Sequence, residues 1–489
     1  MVVVCVYRIF FHPLARYPGP LLARISNSYA AWHAYKGDIH IDMWQCHQIY
    51  GKVVRYAPNR ILVNSAEAVR DIYSHKSNVA KSQTYDALVH RAPNILTLRD
   101  KRQHGRRRRV MSQALSDASI SACEGDILEQ VHKFVSMFAE LPPASENSDW
   151  SAPVDVARPC DSLTFDMMAK VVFGAEYDML GSPTHRGVLD AILDSNVRMG
   201  TLYQYPALEK WKIHKRFFPA AISARGVFVR FVTHMVSSRV QLAAADAADT
   251  ASSTPDRKRL DVFGRLSAAR DPETGSGLTL NELGAESTTL IVAGSDTTSS
   301  ALAATLYYLA QHPAHRRRAQ QEVRAAFAAS AVRLGPALSG CAFLSACVHE
   351  ALRLTPPVGA SLWRQALAGG VVVDGAAVPA GCDVGVGIYS VQRLEGVYAA
   401  AGEFAPERWL AAGAAEREAL FSAFTPFSRG PRGCVGKGIA MAELMLTMAC
   451  VCLKLDWRFE GDREVQGNFV LRDHITGRKQ GPVLEFRKA

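Results

Sequence analysis

A single helix long enough to cross a whole domain constrains this chain more than any other feature. Thr279-Leu280-Asn281-Glu282 reads as a capping box, with threonine at the N-cap and glutamate three residues on. The helix it starts runs to about Ala310 and is stopped by Gln311-His312-Pro313, since proline brings no N–H and its ring collides with the preceding turn. Some 30 residues at 1.5 Å each make a rod of about 45 Å. Its middle is Ala293-Gly294-Ser295-Asp296-Thr297-Thr298, a poor choice for a buried helix. Glycine costs about 1 kcal/mol relative to alanine, and hydroxyls that bond back to carbonyls loosen a helix locally. The segment therefore predicts a bend in the helix.

A second stretch is suited to hold a metal-binding thiolate. In Phe427-Ser428-Arg429-Gly430-Pro431-Arg432-Gly433-Cys434-Val435-Gly436, a cysteine closes a Gly/Pro/Arg-rich loop just before an apolar helical pattern. The glycines permit close approach and backbone conformations that a Cβ forbids. The N-terminus of the next helix offers N–H groups and partial positive charge, which predicts a lowered thiol pKa, and Arg432 adds a cation nearby. The pattern F-x-x-G-x-R-x-C-x-G fixes five residue types, and a chance match in a chain this long is on the order of 10⁻⁴.

That loop resembles the haem-binding loop of the cytochrome P450 superfamily, closest in look to microsomal members from filamentous fungi that tailor secondary metabolites. The resemblance covers nearly the whole chain from its proline-rich segment onward. It implies a mainly α fold with a small β-rich lobe (α+β), a long central helix over the haem and the cysteine loop beneath it. Cys434 would be the axial ligand to haem iron, with Arg432, Phe427 and Gly430 in its loop also at the cofactor. Ala293 to Thr298 resembles the family's A-G-x-D-T-T, in which the acid and first threonine deliver protons for oxygen activation; here these are Asp296 and Thr297. Lys101, Arg102, His104 and Arg106 through Arg109 form the densest charge, and for most of these cations the run predicts a solvated basic face. His104 and Arg108, four apart on one helical face, resemble an aromatic-x-x-x-Arg pair that holds a haem propionate. Arg364 matches an arginine at the other propionate. Glu350, Arg353 and Arg408, from E-x-x-R and P-E-R, resemble a buried structural ion network. Candidate substrate-lining residues are Ile95, Leu96, Ala293, Val358 and Leu362, with Met199 to Tyr203.

The activity implied is a haem-thiolate monooxygenase that inserts one oxygen atom from O2 into a small lipophilic substrate. Electrons would come from NADPH through a separate FAD/FMN-containing cytochrome P450 reductase, with cytochrome b5 as a further donor. Alternatives are a desaturase, a cyclase, a rearranging relative, or a haem-binding protein without turnover. Retention of Asp296 and Thr297 favours oxygen activation.

The chain has 489 residues and a formal charge of +10, which suits an acidic partner or an anionic membrane surface and does not by itself choose; the resemblance points to both, and away from nucleic acid. Its ten cysteines include no CxxC, so a zinc ribbon or disulfide framework is not indicated. Residues 1–11 are apolar apart from Arg8, too few to span a bilayer, which needs roughly 20. They read as the residue of a membrane anchor, residues 12–22 as a stiff proline-rich hinge and residues 23–489 as the catalytic domain, facing the cytosol from the endoplasmic reticulum. Strands are expected at 52–56 and 60–63, and a hairpin with an Asp-Gly turn at 371–381. A helix is expected over 162–174, exposed aromatics at Tyr203, Tyr205, Trp211, Phe217 and Phe218, and a surface loop over 242–258.

Overall fold

The capping box closes as its spacing predicts. In the computed structural model, which describes residues 2–89, 92–248, 261–410 and 413–489, the Thr279 hydroxyl accepts from Glu282 N at 3.3 Å, and Glu282 Oε2 accepts from Thr279 N at 2.9 Å. Six helices position the site: α1 (Lys101–Ala114), α2 (Ala157–Phe173), α3 (Gly187–Gln204), α4 (Leu280–Gln311), α5 (Ala342–Leu354) and α6 (Lys437–Lys454). The 32-residue α4 is the rod, buried almost without interruption from Ser295 to Ala310.

The predicted bend does not break α4, which stays helical through 293–298. The hydroxyls of Ser295, Thr297 and Ser300 bond back to the carbonyls of Ile291, Ala293 and Asp296 at 2.7, 2.6 and 3.0 Å, beside the helical ladder rather than in place of it. Gly294 has a packing role. A Cβ there would lie 2.7 Å from both Cε and Sδ of Met168, so its absence lets α2 approach α4.

The β-rich lobe is a five-stranded sheet of β1 (Val53–Ala57), β2 (Arg60–Val63), β3 (Val79–Lys81), β4 (Arg364–Ala366) and β7 (Asp383–Gly385), ordered β1-β2-β7-β4-β3. All its neighbours are antiparallel except β2 and β7. The expected hairpin is β5 (Val371–Val373) with β6 (Ala376–Val378), its turn carried by Asp374 and Gly375 at φ 43° and 78°.

Three expectations are corrected. The arginine run of α1 is not a solvated face: Arg107 is buried between Glu282 and Glu286, Arg106 reaches Glu282, and Arg109 pairs with Asp271 and Glu273. Tyr203 is buried, its ring edge-on to Tyr85 at 5.2 Å, whereas Trp211 and Phe217 are exposed as expected. Residues 242–248 continue the helix Pro219–Ala248; the rest of the expected loop, to 258, lies outside the described residues. The N-terminal segment lies against the β-lobe. Arg55 of β1 donates from its backbone to Pro18 O and from its side chain to Arg8 O, both at 2.7 Å, and Leu14 is fully buried. No helix among the described residues is long and apolar enough to cross a membrane.

Glu350, Arg353 and Arg408 meet as expected, with more partners than their spacing reveals. Glu350 accepts from Nε and Nη2 of Arg353 at 2.9 Å, from Arg408 Nε and Ala405 N at 3.0 Å, and from the Trp409 indole at 2.9 Å. Burial alone would raise its carboxyl, but the two guanidinium groups outweigh that and hold it below the ordinary 4.5. Arg353 spends its other donors on the carbonyls of Gln392, Ala401 and Glu403. Gln392 in turn accepts from Thr425 N at 2.9 Å, just before the cysteine loop.

Glu350→Gln strands two buried cations, and denaturant unfolding should show a loss of about 3–5 kcal/mol. Since the depressed carboxyl contributes stability above 4.5 and loses it as pH falls, the gap between wild type and variant narrows towards acid.

Candidate active site

The cysteine loop is held by one close approach. Gly430 has φ 66°, and a Cβ on it would lie 1.9 Å from the carbonyl oxygen of Tyr73, which follows β2 on the helix Ala66–Tyr73. Only glycine fits. Beyond it, Cys434 N donates to Phe427 O at 2.8 Å, which folds the loop back and turns the cysteine inward. The thiol is accessible, but to an internal cavity of about 310 Å³. Burial raises the thiol pKa, opposite to the expectation, because desolvation exceeds the opposing hydrogen bond from Gly436 and the charges of Arg108 and Lys437. The cations near the sulfur are therefore those two. Arg432 turns away, donating to the carbonyls of Leu98 and Arg99 at 2.6 and 2.9 Å.

Ala293, Gly294, Thr297 and Thr298 of α4 line the same cavity as Cys434 and Phe427. Ile95, Leu96, Val358 and Leu362 also line it, with Gly200 and Tyr203 of α3. Asp296 does not. It is buried on the adjacent face of α4, accepting from Asn196 Nδ2 at 3.1 Å and from the Thr476 hydroxyl. Burial, helped by Asp161, raises its carboxyl to about 6 against the hydrogen bonds of Thr476 and Asn196 and the charge of Lys479. Asp161 pairs with Lys479 and accepts from Ser299 at 2.7 Å.

One wall is a cluster of cations. Lys81, His104, Arg108 and Arg432 line the cavity and an adjoining recess, which Arg364 and Gly430 complete. Arg108 donates to Gly433 O at 2.6 Å, Lys81 to Ile95 O at 3.2 Å, and Arg364 to the carbonyls of Leu362 and Trp363 and the Tyr85 hydroxyl. These partners are neutral. Burial lowers Lys81 far below its usual value, and Arg364, Arg432 and Arg108 push it further. His104 is lowered to about 2 by burial and the same cations, so its ring is neutral. Four cations with neutral partners around one wall suit an anionic ligand, and a thiol facing the same space suits a soft metal ligand. The donor set fits a haem: Cys434 would hold its iron and the cations would meet its propionates.

The predicted residues thus converge on one cavity and its adjoining recess, apart from Asp296 behind the wall and the Glu350 network, which reaches the loop through Gln392. Lys81, at the end of a three-residue strand, gave no signal in sequence. Asn196 and Thr476 gave none either, since only the tertiary fold brings them to Asp296. Trp409 had one, its place directly after the P-E-R arginine.

The chain matches the family model described as Cytochrome P450 over residues 18–474. It is 45% identical over 484 residues to the cytochrome P450 monooxygenase poxM of Penicillium oxalicum, covering 99% of this chain and 92% of that one. It is 41% identical over 497 residues to the cytochrome P450 monooxygenase atnE of Emericella nidulans, covering 99% and 94%. A crystal structure of the cytochrome P450DA heme domain superposes with a TM-score of 0.75 at 20% identity, covering 93% and 94% of the two chains.

Gly430→Ala should cost about 2 kcal/mol or more in denaturant unfolding, as strain and a backbone collision combine. Gly396→Ala, with open space around the added methyl, should change stability by under about 0.5 kcal/mol.

Proposed function

The chain belongs to the cytochrome P450 family and is a haem-thiolate monooxygenase, an oxidoreductase acting on a small-molecule substrate with electrons from a redox partner; on that premise we propose how its residues share the work. Cys434 ligates the haem iron. Arg108, Arg432, Arg364 and neutral His104 bind the propionates, with Lys81 beside them, while Phe427 and Gly430 shape the loop under the ring. When bound, the haem supplies the oxygen activation, and its thiolate ligand favours O–O cleavage. The chain's own task is to bind and orient substrate, exclude water and hold protons where they are needed.

Thr297 presents its hydroxyl oxygen to the cavity while its hydrogen rests on Ala293 O at 2.6 Å. Asp296, raised to about 6, exchanges protons near neutrality by way of the Thr476 hydroxyl on the polar side of α4, while the Asn196 amide orients its carboxyl. The observation that carries this reading is that Thr297 and Cys434 line one and the same cavity. Substrate is held by Ile95, Leu96, Ala293, Val358 and Leu362, a largely apolar lining that supports a lipophilic molecule. Relatives from filamentous fungi support a secondary metabolite.

The electron donor we propose is an NADPH-dependent reductase carrying FAD and FMN, with cytochrome b5 as a further donor. The net charge of +10 supports docking of an acidic partner. We also place the protein on the endoplasmic reticulum membrane, facing the cytosol. In support, Trp32 packs on Tyr35, Tyr35 meets Phe218 at 5.9 Å, and Phe217 next to it is exposed; near the N-terminus Val2, Val3, Phe10 and Phe11 are exposed as well.

Cys434→His should abolish the red-shifted, thiolate-type Soret band of the reduced carbon monoxide adduct; its survival would refute the ligand assignment. Thr297→Ala should cut product formed per NADPH by about ten-fold or more while NADPH is still consumed, and full coupling in that variant would refute the proton-holding role.

A further inference from the structure

Gln204 ends α3, is 3% exposed and lines the cavity, yet the reading above gives it no task. Its side-chain oxygen Oε1 is claimed twice, by the Trp363 indole at 3.1 Å and by Nη1 of Arg60 at 3.3 Å. Both of those groups can only donate, so the oxygen faces them and the two ends of the amide cannot be exchanged. The nitrogen end is thereby turned the other way. Nothing among the described residues accepts from Nε2, and the open space that Gln204 borders is the cavity.

The holder is rigid. Arg60 of β2 also donates to the backbone carbonyl of Gln204 at 2.8 Å, placing a cation at the end of α3 where helix carbonyls lack partners of their own. Arg60 pairs with Asp383 of β7 at 3.2 Å, Asp383 accepts from the Ser82 hydroxyl at 2.7 Å, and the Arg60 guanidinium lies 5.4 Å from the Trp363 ring centre. Trp363 N in turn donates to the Tyr203 hydroxyl at 3.1 Å. A guanidinium and an indole drawing on Oε1 polarise the amide, and hydrogen bonds in such a chain strengthen one another, so Nε2–H is a better donor than a free amide. Several other polar side chains of the cavity are already engaged. Asp473 accepts from the N–H groups of Gly359, Ala360 and Ile475, and the Thr289 hydroxyl donates to Ala285 O and accepts from Asn94.

We infer that Gln204 is a specificity-determining residue, whose Nε2–H donates to a carbonyl oxygen of the substrate while the apolar remainder lies against Ile95, Leu96, Val358 and Leu362. This rests on the monooxygenase reading above and names a substrate class within it: a lipophilic molecule that carries a ketone, ester, amide or acid carbonyl. A buried donor left without an acceptor costs free energy. An oxygen-free chain therefore enters this site at a penalty that a carbonyl compound avoids, and the bond decides which end of the substrate is anchored.

The test is a thermodynamic cycle on haem-loaded full-length protein. Its two probes share one shape: octan-2-one and 2-methyloct-1-ene, in which a CH2 group stands in place of the carbonyl oxygen. Affinities are measured by equilibrium dialysis, which needs no haem signal. Gln204→Glu keeps an oxygen for Arg60 and Trp363 and puts a second oxygen where the N–H was. It should weaken octan-2-one about ten-fold and change 2-methyloct-1-ene by less than about two-fold. The unequal hydration of the two probes cancels in that ratio. Gln204→Met, which removes the amide and keeps the length, should give the same selective loss. Equal changes for the two probes, or none, overturn the inference. The thiolate-type Soret band of the same samples reports on the monooxygenase assignment separately. Its absence from wild type overturns that assignment, while the dialysis ratio still decides the role of Gln204.

Discussion

The structure depends first on one buried carboxylate. Glu350 lies at the end of α5 with no solvent to support its charge, and five hydrogen bonds from Arg353, Ala405, Arg408 and Trp409 replace it. Such a site tolerates one arrangement and resists partial versions, because any missing partner leaves a charge in a medium that cannot screen it. The arrangement reaches the cysteine loop through backbone. Arg353 fixes Gln392 by its carbonyl, and the Gln392 side chain fixes Thr425, two residues before Phe427. Glu350 is thus remote from the chemistry and yet sets where the thiol points.

The cavity wall shows the opposite electrostatic choice. There cations crowd with no carboxylate paired to them among the described residues, and burial together with their mutual repulsion depresses Lys81 and keeps His104 neutral. A protein holds such repulsion only where a ligand of opposite sign compensates it. The network around Glu350 is complete without a ligand, while the wall of Lys81, Arg108, Arg364 and Arg432 is completed by one.

How much of this was legible in sequence differed by residue. The capping box at Thr279, the Asp374-Gly375 turn and the Glu350–Arg353 pair are local patterns, each settled by neighbours within a few positions, and all were read correctly. Cys434 was legible because its loop repeats a rare pattern. The errors came where tertiary burial overrode local reading. Arginines at 106, 107 and 109 look solvated until α4 and the segment before it bring Glu282, Glu286 and Asp271. The Cys434 thiol looks activated by its helix N-terminus until desolvation is counted. Gly294 looked like a weak point in a helix, but it is the opening that admits Met168.

The alanine- and glycine-rich stretch from Glu395 to Glu403 makes its contribution through backbone oxygens. Ala401 and Glu403 serve Arg353, Ala399 serves Arg408, and Ala399, Ala400 and Gly402 are exposed. Composition at these exposed positions is thus free to drift while the number of residues is not. Losing or gaining one would move three carbonyls out of register with two guanidinium groups. In this stretch the chain is proofread by length, not by letter.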